Sequence, residues 1–165
     1  MSNLIAPSAA FMFPDLGAKH EFISSFTEDT RLPLIDPYDI GAFAKAAFED
    51  PEKFHGKEIG LAGENLGVRE IVGEMERVSG KEIKVVWRDE EETERLNGRD
   101  IFVTSQVLSR DLAGLVDVED IRGWGVPLTS FAEFVEKHKD KVLGTEGFGA
   151  FNELVEDLKK HVGEK

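Results

Sequence analysis

The chain has 165 residues, 33 acidic against 20 basic side chains for a formal charge of −13, a hydrophobic content of 41%, and no cysteine. So acidic a surface repels phosphate backbones and anionic headgroups, so no nucleic-acid or membrane partner is expected, and disulfides, thiol nucleophiles and Cys-zinc sites are excluded. No run approaches the ~20 apolar residues of a membrane span and no basic stretch precedes an apolar one at the N-terminus, so a cytoplasmic chain is expected, of one domain that buries roughly 70% of its unfolded surface.

In chain order, residues 1–18 read as an apolar, irregular arm covering a sheet edge that would otherwise invite aggregation. The runs EFISSF (21–26) and residues 31–35 flank Thr27-Glu28-Asp29-Thr30 and predict a β-hairpin. After Pro37, the residues Ile40, Phe43, Ala44, Ala47 and Phe48 repeat at helical spacing, with Asp36 or Asp39 able to cap the helix N-terminus. Asp50-Pro51 ends that helix, because the residue before proline is pushed out of the α region. Residues 57–62 predict a strand closed by Gly63. Val68, Ile71, Val72, Met75 and Val78 then give a second helical stripe stopped by Ser79-Gly80, with Gly67 as N-cap and Glu70 three residues on.

EIKVVW (82–87) alternates as a further strand, and Trp87 can close one side of a cavity. The acidic run 89–92 is a solvated helix start, without the histidines or spacing of a metal site. Residues 101–115 predict a helix with Phe102, Val103, Val107 and Leu108 inward. Residues 117–125 form a short helix and turn, and Ser130 with Glu133 makes a capping box for a helix over 131–139. Phe148, Phe151, Leu154, Val155, Leu158 and Val162 form a terminal stripe, either docked on bare surface or serving as a homodimer face. The expected organisation is an arm with the first hairpin strand (1–30), an α/β body (31–142) and a docking helix (143–165), all within one domain.

The ordered pieces Ile35-Asp36, Asp39-Ile40-Gly41, Asp50-Pro51, Gly56-Lys57, Ala62-Gly63-Glu64 and Gly80-Lys81 resemble the C-terminal, substrate-side half of NmrA-like proteins, a group of atypical short-chain dehydrogenases/reductases. The stretch VDVEDIRGWGVPLTSFAEFVEKH resembles the closing segment of that family, so the likeness runs from about Arg31 to Lys139. Gly67 stands where the family usually has threonine. Pro7, Phe11, Met12 and Phe13 are similar to a family segment lining the site, with Ala6 in place of its usual arginine. The resemblance implies an α/β fold with a small sheet of about three to five strands and packed helices. It also implies a substrate pocket walled by residues 101–115, where Phe11, Met12, Phe13, Trp87 and Phe102 are the candidate ligand contacts.

A nicotinamide cofactor is not expected. NmrA-like proteins hold the pyrophosphate on a glycine-rich turn before a helix, and no G-x-G-x-x-G or G-x-x-G-x-x-G occurs here. The single tyrosine, Tyr38, is seven residues from Lys45, so the Tyr-x-x-x-Lys pair of ordinary short-chain dehydrogenases is missing too. The four histidines share no ligand spacing, so no metal is expected. These readings point to a truncated small-molecule-binding protein of biosynthetic metabolism that performs non-redox chemistry of isomerase or lyase type. A regulatory interaction module and a substrate-domain fragment of a reductase are the alternatives. The candidate catalytic groups are Tyr38, Lys45, His55 and Arg88, polar side chains near the strand ends where α/β sites gather.

Overall fold

The N-terminal segment is helical and buried, unlike the irregular arm expected from its composition. The structure, a computed structural model, describes residues 1–6 and 8–144, with Phe11 described by its backbone alone. A 3-10 turn over Ser2–Leu4 is followed by α1 (Ser8–Met12) and α2 (Pro14–Lys19). Pro14 opens α2, where its fixed φ and missing N–H cost nothing. Leu4, Ile5, Ala9, Phe13 and Leu16 are all buried, and Phe13 stacks on Phe22 at 4.4 Å. The segment therefore supplies core, which fixes its helical turns.

Next come β1 (Glu21–Ser24) and β2 (Arg31–Leu34), and the expected hairpin between them does not form. Instead β2 pairs antiparallel with β3 (Glu64–Gly67), and β1 pairs in parallel with β4 (Lys84–Trp87), Glu21 opposite Lys84 and Ser24 opposite Trp87. Residues 27–30 close on themselves: the Thr27 N–H donates to Thr30 Oγ1 at 2.9 Å and the Thr30 N–H to the Thr27 carbonyl at 3.1 Å. Each strand is thereby free to take a distant partner. The strand expected over residues 57–62 is absent, because Ile59, Leu61 and Ala62 pack into a cluster around Phe43 and Ile121. The ladder starts later, where the Gly63 N–H meets the Leu34 carbonyl at 2.7 Å. The outcome is an α/β fold of four short strands in two pairs among the described residues.

Helix α3 (Pro37–Glu49) is capped by Asp36, whose Oδ1 accepts the Tyr38 N–H at 3.0 Å. The apolar stripe predicted for it is only partly inward. Phe43 is buried, whereas Ile40 is 46% and Phe48 88% exposed, and the other buried positions are Asp36 and Asp39. Asp39 does not cap the helix; it reaches across the fold to Thr129, accepting the backbone N–H at 2.7 Å and the hydroxyl at 2.9 Å. After α4 (Pro51–Phe54), α5 (Val68–Ser79) buries Val68, Ile71, Val72 and Met75 as its stripe predicts. It ends on Gly80 at φ 65°, a left-handed C-cap suited to glycine.

Asp89 caps α6 (Glu90–Leu96) and Asp100 caps α7 (Ile101–Leu108). Helix α7 is shorter than expected. The Ser109 hydroxyl turns back to the Ser105 carbonyl, and a separate 3-10 turn follows at Leu112–Leu115. Val103 is buried as expected, but Leu108 is 74% exposed and the second inward residue is Gln106. Then come α8 (Val118–Arg122) and α9 (Phe131–Lys137), the latter with the predicted Ser130–Glu133 capping box. Helices α5 and α9 pack together over Phe22 and Phe131 in the main core, where each fully buried side chain of this size contributes about 1.5–3 kcal/mol. The terminal stripe predicted for residues 143–165 lies, from residue 145 onward, outside the described residues.

Candidate functional site

The parallel pair positions a cavity of about 200 Å³. Glu21 and Ile23 occupy the face of β1 opposite the buried Phe22 and Ser24, and they form its floor. Met12, Phe13, Pro14 and Asp15 close one side from the α1–α2 turn. Asp100, Phe102, Val103 and Gln106 close the other from α7. Arg88, the first residue past β4, enters at the carboxyl end of the parallel strands, where ligands of open α/β sheets characteristically bind. Its backbone N–H donates to the Ser24 carbonyl at 2.8 Å, extending the ladder by one step and fixing where the guanidinium departs.

The wall behind Arg88 is a hydrogen-bonded unit centred on Ser25, which is fully buried. Gln106 Oε1 accepts the Ser25 N–H at 2.6 Å, and Arg88 Nη1 donates to Ser25 Oγ at 3.3 Å. Arg110 donates to the Ser25 carbonyl from Nε and Nη2 at 3.0 and 2.7 Å while its Nη1 pairs with Glu90 at 3.1 Å. Three carboxylates also line the cavity, and each is engaged. Asp15 pairs with Lys19 at 3.0 Å, a hydrogen bond that raises the lysine pKa above its ordinary value. Glu21 pairs with Lys84 at 3.2 Å. Asp100 Oδ1 accepts the Phe102 and Val103 N–H groups at 2.8 and 3.1 Å.

Of the residues singled out by sequence, Met12, Phe13, Phe102 and Arg88 come together around this one cavity. The Phe11 side chain lies outside the described residues. Trp87 is half-buried under the Arg69 guanidinium, 5.8 Å from the ring centroid, and does not line the cavity. Tyr38, Lys45 and His55 stand apart from it. Lys45 is exposed and paired with Glu49 at 2.7 Å, and His55 is exposed after α4. Tyr38 is 72% exposed beneath Lys137 Nζ, 4.4 Å from its ring, and lines a more open groove of about 330 Å³ together with Asp36, Phe134, His138 and Lys141. Sequence reasoning passed over Asp15, Glu21, Asp100 and Gln106. The signal for Gln106 was its position three residues after Val103, on the inward face of a helix.

Among the described residues no group of three or more His, Asp or Glu side chains could hold a metal, and no helix is long and apolar enough to cross a membrane. A model of the NmrA-like family matches residues 1–112. That match begins at Met1, so it takes in α1 and α2, and it contains every residue lining the cavity. No curated protein sequence matches the chain.

Proposed function

Because the chain belongs to the NmrA-like family, we propose that it binds a small molecule in the cavity between α2, β1 and α7, and that its chemistry there is non-redox, of the cyclisation, isomerisation or dehydration kind. The observation that carries the reading is the mixed lining. Met12, Phe13 and Phe102 offer apolar contact to a ligand body, while Arg88 and Gln106 offer polar groups that orient it. Arg88 is the one of the four polar candidates at this cavity, and it is the group we assign to ligand binding. The non-redox part is supported by the sequence, which has neither a glycine turn for a pyrophosphate nor a Tyr-x-x-x-Lys pair. A second reading, a non-catalytic interaction module, is favoured by Ile101, Leu108 and Leu115, which α7 and the turn after it leave 73%, 74% and 77% exposed.

Thermal denaturation in the presence of small aromatic and aliphatic compounds, NAD and NADP tests these readings. A ligand at 100 times its dissociation constant adds about 2.7 kcal/mol, roughly 5–11 °C for a chain of this length. Stabilisation by a small compound that Val103→Trp abolishes by filling the cavity, and that Ile101→Ser leaves intact, is the expected result. Stabilisation by NAD or NADP overturns the non-redox part, and a panel with no stabilising member overturns ligand binding at the cavity.

A further inference from the structure

Two side chains at the cavity, Arg88 and Gln106, keep hydrogen-bond donors with no acceptor among the described residues. Among the described residues Arg31, Arg69, Arg77, Arg95, Arg110 and Arg122 each pair with a glutamate. The exposed Arg99 aside, Arg88 alone does not, although the chain has 33 acidic residues against 20 basic ones. Its side chain is half-buried, and its single side-chain bond among the described residues is the long one from Nη1 to Ser25 Oγ, 3.3 Å. Gln106 is 7% exposed; its Oε1 is taken by the Ser25 N–H and its Nε2 has no partner among the described residues. None of the carboxylates lining the cavity bonds to either donor: Asp15 pairs with Lys19, Glu21 pairs with Lys84, and Asp100 accepts N–H groups of the first turn of α7. Neither Arg88 nor Gln106 has a side-chain nitrogen among the fully buried polar atoms that lack a partner, so the remaining donors face the open space of the cavity, where an arriving acceptor can reach them.

Building on the cavity reading above, we propose that the ligand is a small monocarboxylic acid with an apolar body. Its carboxylate takes the Nε–Nη2 edge of Arg88 in a two-point contact, with Gln106 Nε2 as a third donor, and its body lies between Phe13 and Phe102. A planar fork of donors suits a carboxylate in this way. The cavity of about 200 Å³ is smaller than the ~300–1,000 Å³ of drug-sized sites, which restricts the body to a single ring or a short chain.

The test titrates the full chain with phenylacetate, its neutral isostere phenylacetamide, phenethylamine and inorganic phosphate, each against wild type, Arg88→Gln, Arg88→Lys and Val103→Trp, followed by calorimetry. Phenylacetate is expected to bind wild type, to bind Arg88→Gln about 10- to 100-fold more weakly, and to bind Arg88→Lys at an intermediate level. Phosphate, lacking the apolar body, is expected to bind none of them. Equal binding of acid and amide, an Arg88→Gln variant that holds the acid undiminished, or binding of phosphate as tight as that of the acid overturns the proposal. If the amide or the amine binds instead and Val103→Trp abolishes it, the acid class fails while the ligand cavity stands. If no organic probe binds in a way that Val103→Trp blocks, both fail.

Discussion

Asp39 is a buried carboxylate that joins two parts of the chain 90 positions apart. It is 6% exposed, and its two oxygens take the Thr129 N–H at 2.7 Å and the Thr129 hydroxyl at 2.9 Å. Replacing it with alanine removes both bonds and leaves the Thr129 N–H without a partner at the start of the segment leading into α9. A hydrogen bond to a charged group is worth about 1.5–3 kcal/mol, and an orphaned donor costs about 1–3 kcal/mol. The two bonds share one carboxylate whose desolvation offsets part of the gain, so Asp39→Ala should cost about 2–4 kcal/mol, lowering the midpoint of thermal unfolding by roughly 4–16 °C. Thr129→Val removes only the hydroxyl and should cost less. Urea unfolding followed by Trp87 and Trp124 fluorescence reads both, and the double variant should show a coupling of at least about 0.5 kcal/mol. Strictly additive effects, or an unchanged midpoint in Asp39→Ala, would refute the idea that this carboxylate clamps α3 to the approach to α9.

Three other expectations concern single sites. Gly67 sits at the N-cap of α5 with extended backbone, and its N–H already donates to Glu70 Oε2 at 2.7 Å, so Gly67→Ser should complete the capping box and stabilise by a few tenths of a kcal/mol in urea unfolding. A Cβ at Gly63 would meet the Thr129 carbonyl oxygen at 3.0 Å and the Leu34 carbonyl oxygen at 3.5 Å, both backbone, so Gly63→Ala should destabilise by about 1–3 kcal/mol through local overpacking, with the far-ultraviolet spectrum unchanged. The Ser130 hydroxyl and backbone N–H bonds hold the Glu133 carboxyl below its ordinary value of 4.5. A depressed carboxyl stabilises the fold above the ordinary value and loses that contribution as pH falls through the lowered one. Wild type should therefore lose stability more steeply than Glu133→Gln on acidification below about pH 4.5, and parallel pH profiles would show that the box carries no charge-dependent part.

Local rules read α5, α6 and α9 well because each rests on neighbours in sequence: Val68, Ile71, Val72 and Met75 on one stripe, Asp89 before an acidic first turn, Ser130 bonded to Glu133. The same rules failed where the partner is remote. Two β-rich runs around a polar tetrapeptide are a hairpin by local chemistry, yet residue 21 pairs with residue 84 and residue 31 with residue 67. Parallel pairing across so long a connection leaves no mark in the four residues of β1. The stripe of α3 misled for a related reason. Its inward side is Asp36, Asp39 and Phe43, so two of the buried positions are carboxylates, and a search for apolar spacing turned Phe48 inward by mistake.

The cavity follows the same division. Arg88 and Phe102 were legible as candidates, one from the preference of α/β sites for strand ends and the other from the resemblance to NmrA-like proteins, which implied a pocket wall over residues 101–115. The carboxylates Asp15 and Glu21 and the amide of Gln106 were not, because their meaning lies in which partners they already hold. An arginine in an acidic chain looks, in sequence, like one more half of an ion pair, and Arg88 sits between Trp87 and Asp89 with acidic neighbours close at hand. Asp89, the nearest of them, is spent on the N–H of Glu92 at 2.7 Å, and Glu90 is drawn off by Arg110. Arg110 in turn is fastened to the Ser25 carbonyl, on the same residue whose N–H occupies Gln106 and whose hydroxyl takes one end of Arg88. One buried serine thus anchors Arg88, Gln106 and Arg110 together, and the nearest carboxylates are bonded to other groups, so among the described residues the remaining edge of the guanidinium takes no acceptor.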